Sequence, residues 1–548
     1  MEKIKIISFG TGFDEIIIND FKFSTQDKQI IQLIKNSNGQ YDSISKKWIV
    51  PYTQINNLLL DFKNMEITTT YEKKEPEIKE DEVNREFDIV MSKVSSFLTY
   101  DYQKTAVHFL VNRHFAILGD GLGLGKTIES LMSARLLYDK YHFSKFLVVC
   151  YPVSIIENWK REIHLVSAGD ENFEKAFEVT NYEQFRSKDA ERLISQDYDI
   201  VICDEASQLR NPTKARKGLQ KVRSKYYWML SGEVVEKYPV DLYYIISTFS
   251  KYYTKEQFYN NFVVEEMKYF YNKRIKQIVG FKNINKLKEE ISPIYLRRTR
   301  EDVAEELKKV DIKVEYVRSK LTEEQEKGFK NIKKEIAIKE EMLGEDKNLI
   351  LEYFQRARLF LDDANYEDKE KEIDSSKYKS LLKILKENLT EKAIVFTSYK
   401  IILEKLKKGL EKEGIKTITI SSDMNKKERQ EKIDEYKKSE DTFVLLTSDI
   451  LAYGVNLETS TILINYDIPL LGGKLKQRIY RMVRATTKSD IVKNYILATD
   501  TKFDRHVEQI VKQKIAYAEA INQNVDEIGV QTLGFSNDDI RELIKDIE

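Results

Sequence analysis

The stretch FAILGDGLGLGKTIESLMSARLLY, residues 115–138, decides the fold of this chain. An apolar run typical of a buried strand leads into a glycine-rich loop, and a helical pattern follows it. In such an arrangement the backbone N–H groups of the loop and of the first helical turn point at phosphate oxygens. A lysine at the helix start reaches the β- and γ-phosphates, and the hydroxyl after it ligates Mg²⁺. The stretch therefore predicts a nucleotide site formed by Asp120, Gly121, Leu122, Gly123, Leu124, Gly125, Lys126 and Thr127.

Other interpretations of the same glycines have to be weighed. The strict P-loop pattern has Gly where Asp120 stands, so this loop is a variant, and a glycine-rich turn followed by a chance GKT is the alternative. A dinucleotide-binding fingerprint does not fit, because Gly119, Gly121 and Gly123 are spaced by two throughout.

Short β-branched runs alternate with amphipathic helical patterns around and beyond the loop. Over residues 95–300 the runs are HFAILGD, KFLVVCYP, DYDIVICDEA and YYWMLSG, and over 375–515 they are KAIVFTSY, KTITISS, TFVLLTSD and TILINYDIP. This alternation predicts two parallel sheets covered by helices, and hence an α/β fold class. Residues 301–374 are rich in Lys and Glu with helical spacing, so we expect a helical insertion between the two α/β domains.

The ends of the chain have a different character. Residues 1–65 mix strand-like and helical patterns and predict a small α+β domain. Residues 66–94 contain the charged stretch YEKKEPEIKEDEVN and are interpreted as a linker. Residues 516–548 form a tail whose terminal helix is expected to open with a capping box of Ser536 and Asp539.

Composition excludes several classes of protein. Of 548 residues, 41% are hydrophobic and 11% aromatic, which excludes global disorder. The 90 Lys and Arg balance 90 Asp and Glu, which excludes a broadly cationic binder but allows a local phosphate-binding groove. Cys150 and Cys203 each end an apolar run and are interpreted as buried thiols. No apolar run is long enough to span a membrane, so we expect a cytoplasmic protein. The low proline count and the richness in Lys, Ile, Glu and Asn favour a bacterial or virus-infected cell, and we expect a monomer.

The pair Asp204 and Glu205, at the end of the apolar run DIVIC, is the second chemical signal. A carboxylate at the C-terminal edge of a strand can hold Mg²⁺, which would make Asp204 a metal ligand together with Thr127. The neighbouring glutamate can orient and deprotonate the attacking water. Acidic pairs also cap helices, which is the alternative interpretation of the pair alone.

The third signal is QRIYRMVR, residues 477–484. On a helix, Gln477, Arg481 and Arg484 share one face at spacings of four and three. If this face met the P-loop across a cleft, Gln477 would contact the nucleotide, and Arg481 and Arg484 would be catalytic as arginine fingers. A solvated helix face is the alternative interpretation.

The order of these segments resembles superfamily 2 helicase-type ATPases of the Swi/Snf-related branch. ILGDGLGLGKT resembles the DEMGLGKT of that branch, and DEASQLRNPTKARKGL resembles its DEAH segment with Ser207 in place of His. LVVCYPVSIIENWKREI, VTNYEQF, YLRRTREDV, KAIVFTSY, TFVLLTSDILAYGVNLE and QRIYRMVR follow in the family's order over roughly residues 95–515. The resemblance implies two RecA-like parallel-sheet lobes that hydrolyse ATP with Mg²⁺.

The resemblance also implies further site residues. Gln103 resembles the adenine-contacting glutamine, and Gly454 falls in the motif that contacts nucleotide from the second lobe. The implied DNA track uses small polar groups and cations at strand-end loops, which contact backbone rather than bases. These residues are Ser154, Thr180, Asn181, Arg210, Thr397, Ser398, Thr447 and Ser448. One departure stands out: LSGEVVEK, residues 230–237, replaces the family's LTGTPIEN, which couples hydrolysis to lobe movement.

A second resemblance concerns the N-terminal 65 residues. Gln40-Tyr41-Asp42, Lys46-Lys47-Trp48 and Pro51, followed by an amphipathic helix, look like the HARP module of annealing helicases, which binds branched DNA. The alternative is a small hairpin domain in which Trp48 is simply core.

The sequence thus predicts an ATP-dependent DNA translocase that remodels forks, branches or DNA-bound protein complexes, or anneals strands. A catalytically weak DNA-structure binder and an RNA helicase of the same superfamily are the alternative functions. Duplex or branched DNA, contacted through its backbone, is the expected partner.

Overall fold

The computed structural model describes residues 3–8, 12–42, 46–74, 78–93, 100–186, 190–232, 234–235, 239–270, 273–307, 310–343, 347–421, 423–440, 444–448, 457, 459–469, 475, 478–480, 482–483, 489–520 and 528–529. The chain divides into two compact units. The first comprises Met1–Glu306 with Ala518–Gly529, and the second Leu307–Tyr517 with Val530–Glu548.

The first unit begins with a mixed sheet that carries helices. Its elements are β1 (Ile4–Ser8), β2 (Phe13–Ile18), α1 (Thr25–Asn36), β3 (Gln40–Asp42), β4 (Lys47–Pro51), α2 (Tyr52–Asn64) and β5 (Thr69–Lys73). The strand order is β3-β4-β2-β1-β5, with β1 and β5 parallel and the other neighbours antiparallel. The apolar residues of β1 and β2 pack against those of both helices, which gives this part a core of its own around Ile6, Ile16, Ile30 and Phe62.

A parallel sheet covered by helices makes up most of the first unit. Its elements are α3 (Glu80–Lys93), α4 (Asp101–Val111), β6 (Phe115–Leu118), α5 (Lys126–Tyr141), β7 (Phe146–Cys150), α6 (Ile156–Ser167), α7 (Glu171–Lys175), β8 (Phe177–Asn181), α8 (Ala190–Ile194), β9 (Asp197–Asp204), α9 (Lys214–Leu219), β10 (Arg223–Leu230), α10 (Val240–Phe249), α11 (Lys255–Phe262), β11 (Val263–Phe270), β12 (Lys273–Phe281), α12 (Ile284–Ile291) and β13 (Tyr295–Leu296). The sheet itself has the order β13-β6-β10-β9-β7-β8 and is parallel throughout, whereas β11 and β12 form a separate antiparallel pair. Strands β6 and β9 flank β10, so the C-terminal ends of all three lie at one edge, where ligands bind in open α/β sheets.

The second unit contains another parallel sheet. Its elements are β14 (Asp311–Ser319), α13 (Glu323–Leu343), α14 (Lys347–Asp362), α15 (Ser376–Glu387), β15 (Ala393–Phe396), α16 (Lys400–Lys412), β16 (Thr417–Ile420), α17 (Lys426–Lys438), β17 (Val444–Thr447), β18 (Ile462–Asn465), β19 (Ile491–Thr499) and α18 (Lys502–Ala520); β20 (Ile528–Gly529) returns to the first unit. The order is β14-β19-β18-β15-β17-β16, again parallel at every neighbour. The expected α/β class with two parallel sheets is confirmed.

The stretch expected to be a linker, residues 66–94, contains regular structure instead. Strand β5 pairs in parallel with β1, from Thr69 opposite Ile4 to Lys73 opposite Ser8. Helix α3 buries an apolar face that includes Val83 and Phe87. The charged composition of this stretch led to its interpretation as a linker. Strand β5 lies at the edge of its sheet, and edge strands are commonly polar.

The expected helical insertion, residues 301–374, begins with a strand. Strand β14 pairs with β19 along its whole length, from Asp311 opposite Ile491 to Ser319 opposite Thr499. It lies at the edge of its sheet, and its exposed positions carry the charged residues that suggested a helix. Helices α13 and α14 lie where helical spacing predicted them.

Both cysteines are free and buried, as expected. Within the described ranges, no helix combines the length and the low charge that crossing a membrane requires. The predicted terminal helix at Ser536 lies outside the described residues.

Candidate active site

The glycine-rich loop joins the end of β6 to the start of α5. Gly125 caps α5 with a left-handed φ of 96°, and a β-carbon at this position would lie 2.3 Å from the Gln103 side-chain nitrogen. Only glycine combines this φ with this close approach. The loop therefore delivers Lys126 and Thr127 to the first turn of a sixteen-residue helix, whose free N–H groups favour anions.

Gln103 supports this loop from inside the protein. Its side-chain amide donates to the Leu124 carbonyl at 3.2 Å and accepts from the Tyr100 N–H at 3.2 Å. The Tyr102 hydroxyl donates to the same Leu124 carbonyl at 2.8 Å. Sequence reasoning expected Gln103 to contact adenine, whereas here both ends of its amide hold the protein, and its side chain is almost fully buried.

Asp120, the departure from the strict P-loop pattern, is fully buried against Arg298. The Arg298 Nε lies 3.0 and 3.2 Å from the two carboxylate oxygens, and its Nη2 contacts one of them as well. The Arg298 backbone N–H also donates to Asp120 at 2.9 Å. The carboxylate predicted as a nucleotide contact is therefore used to anchor the loop to a segment far away in the sequence.

A second carboxyl, that of Glu129, accepts from Arg298 at 3.1 Å. Glu129 is also fully buried, and burial raises its pKa well above the usual range. Asp120 makes the more numerous contacts with the guanidinium, through both of its carboxylate oxygens.

Lys126 lies near several acidic side chains. Its ammonium donates to the backbone carbonyls of Asp120 at 2.7 Å and Gly121 at 3.2 Å. Burial lowers the pKa of Lys126, and the nearby carboxylates of Glu205, Asp120 and Asp204 oppose that shift. The structure thus brings the loop lysine close to the acidic pair that the sequence singled out.

The acidic pair is held at the end of β9. One oxygen of Asp204 accepts from the Trp159 indole at 2.9 Å, and the other accepts from the Glu205 N–H at 2.9 Å. A carboxylate at this strand end is chemically suited to be a direct or water-mediated ligand of Mg²⁺. Glu205 itself has a left-handed φ of 52°, which costs a non-glycine residue on the order of 1–3 kcal/mol and is typical of active sites.

The motif LSGEVVEK, which departs from the family pattern, begins at the end of β10, beside the P-loop. The Ser231 N–H donates to the Leu118 carbonyl at 3.1 Å. A β-carbon on Gly232 would lie 2.7 Å from the Leu122 side chain and 3.5 Å from the Lys126 ammonium. Of the two residues that match the family, Ser231 therefore bonds to the end of β6 and Gly232 packs against the P-loop, and Glu233 lies outside the described residues.

Four predicted site residues of the second α/β domain lie outside the described residues: Gly454, Gln477, Arg481 and Arg484. Their neighbour Arg478 is described and fully buried, and it donates to the Asn465 side chain at 2.8 Å.

The predicted DNA contacts of the first unit are mostly enclosed. Thr180 and Asn181 are buried at the end of β8, and the Asn181 side chain accepts from the Glu183 N–H at 2.9 Å. Arg210 is half-buried and has a partner within the protein. Ser154 lies in a single 3-10 turn, and its side chain lies outside the described part.

The predicted DNA contacts of the second unit lie at one edge of its sheet. Thr397 and Thr447 are fully buried, and the Thr397 N–H donates to the Thr447 carbonyl at 3.0 Å. The Thr447 hydroxyl donates to the carbonyl of the half-buried Ser448 at 3.2 Å. The Ser398 hydroxyl donates to Asp467 at 2.6 Å. The ends of β15 and β17 therefore meet as the sequence implied, with their hydroxyls engaged inside the protein.

Sequence reasoning missed Trp159 and Arg298. Both fall in segments that were quoted for the resemblance, WKREI and YLRRTREDV, but no local pattern shows that an indole or a guanidinium will meet a buried carboxylate. The available signal was Asp120 itself, because an acidic residue where the strict P-loop pattern has Gly indicates a basic partner such as Arg298.

Comparisons with known protein families match two domain models to this chain, in the order that the motifs indicated. Residues 102–365 match the SNF2-related domain, and residues 376–486 match the helicase conserved C-terminal domain.

Individual relatives are distant. An uncharacterized ATP-dependent helicase of Mycoplasma pneumoniae is 24% identical over 466 residues, covering 79% of this chain and 42% of the relative. The uncharacterized ATP-dependent helicase YqhH of Bacillus subtilis is 22% identical over 443 residues, covering 75% of this chain and 77% of the relative. The chain thus spans about two fifths of the Mycoplasma protein's length. The SWI2/SNF2 ATPase core of Sulfolobus solfataricus in complex with double-stranded DNA aligns with a TM-score of 0.35 at 20% identity, covering 82% of this chain and 97% of that one.

Proposed function

We propose that this chain, which belongs to the SNF2-related family through its SNF2-related and helicase C-terminal domains, hydrolyses ATP to move along DNA. The movement would remodel forks, branches or DNA-bound protein complexes, or anneal strands. The observation that carries the proposal is the meeting of Lys126, Asp204 and Glu205 at one edge of a parallel sheet, beside a helix N-terminus. ATP with Mg²⁺ is the substrate that fits such a site.

The residues of the first unit divide the chemistry of hydrolysis among them. Lys126 would exchange its bonds to loop carbonyls for bonds to the β- and γ-phosphates. Thr127 and Asp204 would hold Mg²⁺, which neutralises phosphate charge as the terminal phosphoryl group leaves. Glu205 would orient the attacking water and accept its proton.

The strained backbone of Glu205 supports its role as the base. A left-handed residue directly after a buried strand aims its side chain differently from the strand residues before it. The Glu205 N–H bond to Asp204 fixes this turn, so the base is positioned before substrate arrives.

The second α/β domain would complete the motor. Arg481 and Arg484 would act as arginine fingers on the γ-phosphate, and Gln477 and Gly454 would contact the nucleotide. The strand-end hydroxyls and Arg210 would follow the DNA backbone, which requires local rearrangement because several of them are engaged internally.

A catalytically weak DNA-structure binder is the second candidate, and the altered motif LSGEVVEK favours it. Against it stands the position of the two matching residues, since Ser231 bonds to the end of β6 and Gly232 packs against the P-loop residue Leu122. An RNA helicase of the same superfamily is the third candidate.

The N-terminal sheet would direct the motor to branched DNA if its HARP resemblance holds. Lys47 pairs with Glu15 at 2.7 Å, and Lys46 is exposed beside it. Lys46 is therefore the more available phosphate contact of the two.

Steady-state ATPase rates with single-stranded, duplex and forked DNA, and with RNA, would separate these functions. The motor predicts DNA-stimulated hydrolysis that RNA does not match. Glu205→Gln is the matched control, because an isosteric amide should retain ATP and DNA binding while turnover stops. Hydrolysis that is absent with every polymer would favour the weak binder, and preferential stimulation by RNA would favour the third candidate.

A further inference from the structure

A cleft opens between the N-terminal sheet and helix α12 of the first unit. Its volume is about 520 Å³, within the range of ligand pockets in proteins. The described residues that line it include Ile55 of α2, Tyr71 of β5 and Glu290 of α12. None of these described lining residues has a role in hydrolysis or on the expected DNA track, so the motor chemistry does not account for the cleft.

The two sides of the cleft are fixed to each other by contacts beside it. Phe13 and Gln54 each directly precede a residue that lines the cleft. The Gln257 amide donates to the Gln54 side-chain oxygen at 3.1 Å, and the rings of Phe13 and Tyr252 meet edge to face with centroids 5.5 Å apart. The cleft is therefore formed before a ligand arrives, as ligand sites usually are.

Asp14 is the unusual polar group of this cleft. It is 1% exposed, and its Oδ1 has no hydrogen-bond partner within the described ranges. The other oxygen lies 3.5 Å from the Tyr71 hydroxyl, at the limit of a hydrogen bond. Burial raises the pKa of Asp14, although a hydrogen bond from Ser8 and the charge of Lys73 act to lower it. A buried carboxyl oxygen without a partner is costly, so it indicates a donor that a ligand supplies.

The second carboxylate of the cleft already has partners. Glu290 accepts from the Tyr253 hydroxyl at 2.8 Å, and its other oxygen lies 3.7 Å from the Lys286 ammonium. Asp14 is therefore the acceptor that still has a contact to make.

The other lining groups offer apolar contact and a positive charge. Tyr71 and Lys73 stand two residues apart on β5, so both side chains project from the same face of the sheet. Tyr71 is 44% exposed, and Lys73 is exposed as well. Ile55 and Leu59 of α2 supply apolar surface. The cleft thus combines an aromatic ring, an apolar wall, a cation and a hydrogen-bond acceptor.

We propose that this cleft binds an unpaired nucleobase of the DNA on which the motor acts, with Asp14 accepting from the base and Tyr71 stacking on it. A base has a flat apolar face and N–H donors at its edge, and the phosphate beside it is the anion that Lys73 would contact. A purely cationic ligand would satisfy Asp14 but would be repelled by Lys73. The site rests on the proposed function and adds to it a position for one base.

The chemistry of Asp14 predicts which base binds better. A carboxylate accepts from the amino group of cytosine, whereas thymine has a carbonyl oxygen at that position, which repels it. Oligo(dC) should therefore bind more tightly than oligo(dT) of the same length, by about tenfold for one good base contact. Backbone contacts elsewhere on the motor carry no sequence information, so the ratio of the two affinities reports this cleft.

Three variants test the cleft by fluorescence anisotropy with labelled oligo(dC) and oligo(dT). Asp14→Asn should remove most of the preference, because the amide is a weaker acceptor and can donate to the thymine carbonyl. Tyr71→Leu should weaken the binding of both oligonucleotides about tenfold, since stacking is lost. Lys73→Glu should weaken both and reduce the slope of log affinity against log salt by about 0.7, the value for one phosphate of a single strand.

Two matched controls lie in the same domain but outside the cleft. Tyr41→Leu removes an exposed tyrosine from β3, the opposite edge strand of the sheet, and Lys35→Glu reverses an exposed cation on α1. Both should bind as the wild type does. Thermal unfolding guards against misfolding: Asp14→Asn should be no less stable than the wild type, because burial disfavours the charge that this variant removes.

Three results would overturn the site. The first is an unchanged affinity ratio in Asp14→Asn together with unchanged affinities in Tyr71→Leu. The second is an equal loss in Tyr41→Leu, which would show that stacking is not specific to the cleft. The third is a labelled oligo-arginine peptide that Asp14→Asn weakens while both oligonucleotides are unaffected, which would assign the cleft to a cationic partner.

Failure of the proposed function looks different, because it is measured by hydrolysis. A wild type that prefers oligo(dC) but lacks DNA-stimulated ATPase would refute the motor and leave the base site standing. A wild type whose ATPase is stimulated by DNA, but which binds oligo(dC) and oligo(dT) equally, would refute the base site alone.

Discussion

The pair of Asp120 and Arg298 allows a quantitative test of how the P-loop is held. Asp120→Asn keeps the size of the side chain and removes the charge, which leaves Arg298 beside the single carboxyl of Glu129. Asp120 is fully buried and the Arg298 side chain is 13% exposed, so little water can replace the lost partner. Removing one member of a buried pair costs about 3–5 kcal/mol, and the slight exposure of Arg298 places this case near 3 kcal/mol.

A double-mutant cycle isolates the interaction. Arg298→Met should cost a similar amount, because it leaves the Asp120 carboxylate without its guanidinium. The double variant leaves neither Asp120 nor Arg298 as an unpaired charge, so its loss should be no larger than that of either single variant. The coupling free energy should therefore be at least about 3 kcal/mol, well above the ~0.5 kcal/mol within which independent sites add.

Tryptophan fluorescence during urea unfolding is the suitable assay. The chain has three tryptophans, Trp48, Trp159 and Trp228, and all of them lie in the first unit. Trp159 and Trp228 belong to the core that carries β6 and α5, so their emission reports the unfolding of the P-loop's own domain. A coupling energy below about 0.5 kcal/mol would refute the anchoring role. If Asp120→Asn instead weakened nucleotide binding with stability unchanged, Asp120 would be the nucleotide contact that the sequence suggested.

Three further predictions concern the active site and the second unit. Lys126→Ala should lower the hydrolysis rate at least a hundredfold, because a lost electrostatic contact to the transition state costs about 3 kcal/mol; a rate above a tenth of the wild type contradicts the site. Arg481→Ala and Arg484→Ala should each reduce kcat by about a thousandfold with nearly unchanged ATP affinity, since arginine fingers meet charge that develops as the phosphoryl group leaves; an equal fall in affinity would indicate a ground-state contact. Burial raises the pKa of Asp362 to about 7, so the folded state binds this proton more tightly than the unfolded state, and stability from this group is lost as pH rises from about 4 through 7. Asp362→Asn should flatten that decline when the second unit's thermal unfolding is followed by circular dichroism at pH 5 and 8, and an unchanged slope would show that other groups cause it.

The parallel sheets were predictable from sequence because their strands are buried on both faces. Strands β6, β7, β15 and β17 are buried at every residue. A strand with helices on both sides can be apolar throughout, and such a run stands out from the amphipathic helices around it. The position of the P-loop then followed from chain order, since it lies between such a strand and the next helix.

Edge strands could not be predicted in the same way. Strands β5 and β14 lie at the ends of their strand orders and have few buried residues. What makes them strands is pairing with β1 and β19, partners distant along the chain that no local pattern identifies. The N-terminal domain consequently extends to Lys73, beyond the boundary at residue 65 that charge suggested.

The anchor of the P-loop shows why a departure from a motif can be informative. A glycine in place of Asp120 would remove the carboxylate that the Arg298 guanidinium contacts through two of its nitrogens. The backbone reinforces the same connection, because the N–H groups of Gly119 and Gly121 donate to the carbonyls of Leu296 and Arg298, both at 2.7 Å. Leu296 and Arg298 stand shortly before Glu306, where the chain leaves the first unit. A displacement of this segment relative to the P-loop is therefore opposed by two backbone hydrogen bonds, by the Asp120–Arg298 ion pair and by the bond from the Arg298 N–H to the Asp120 carboxylate.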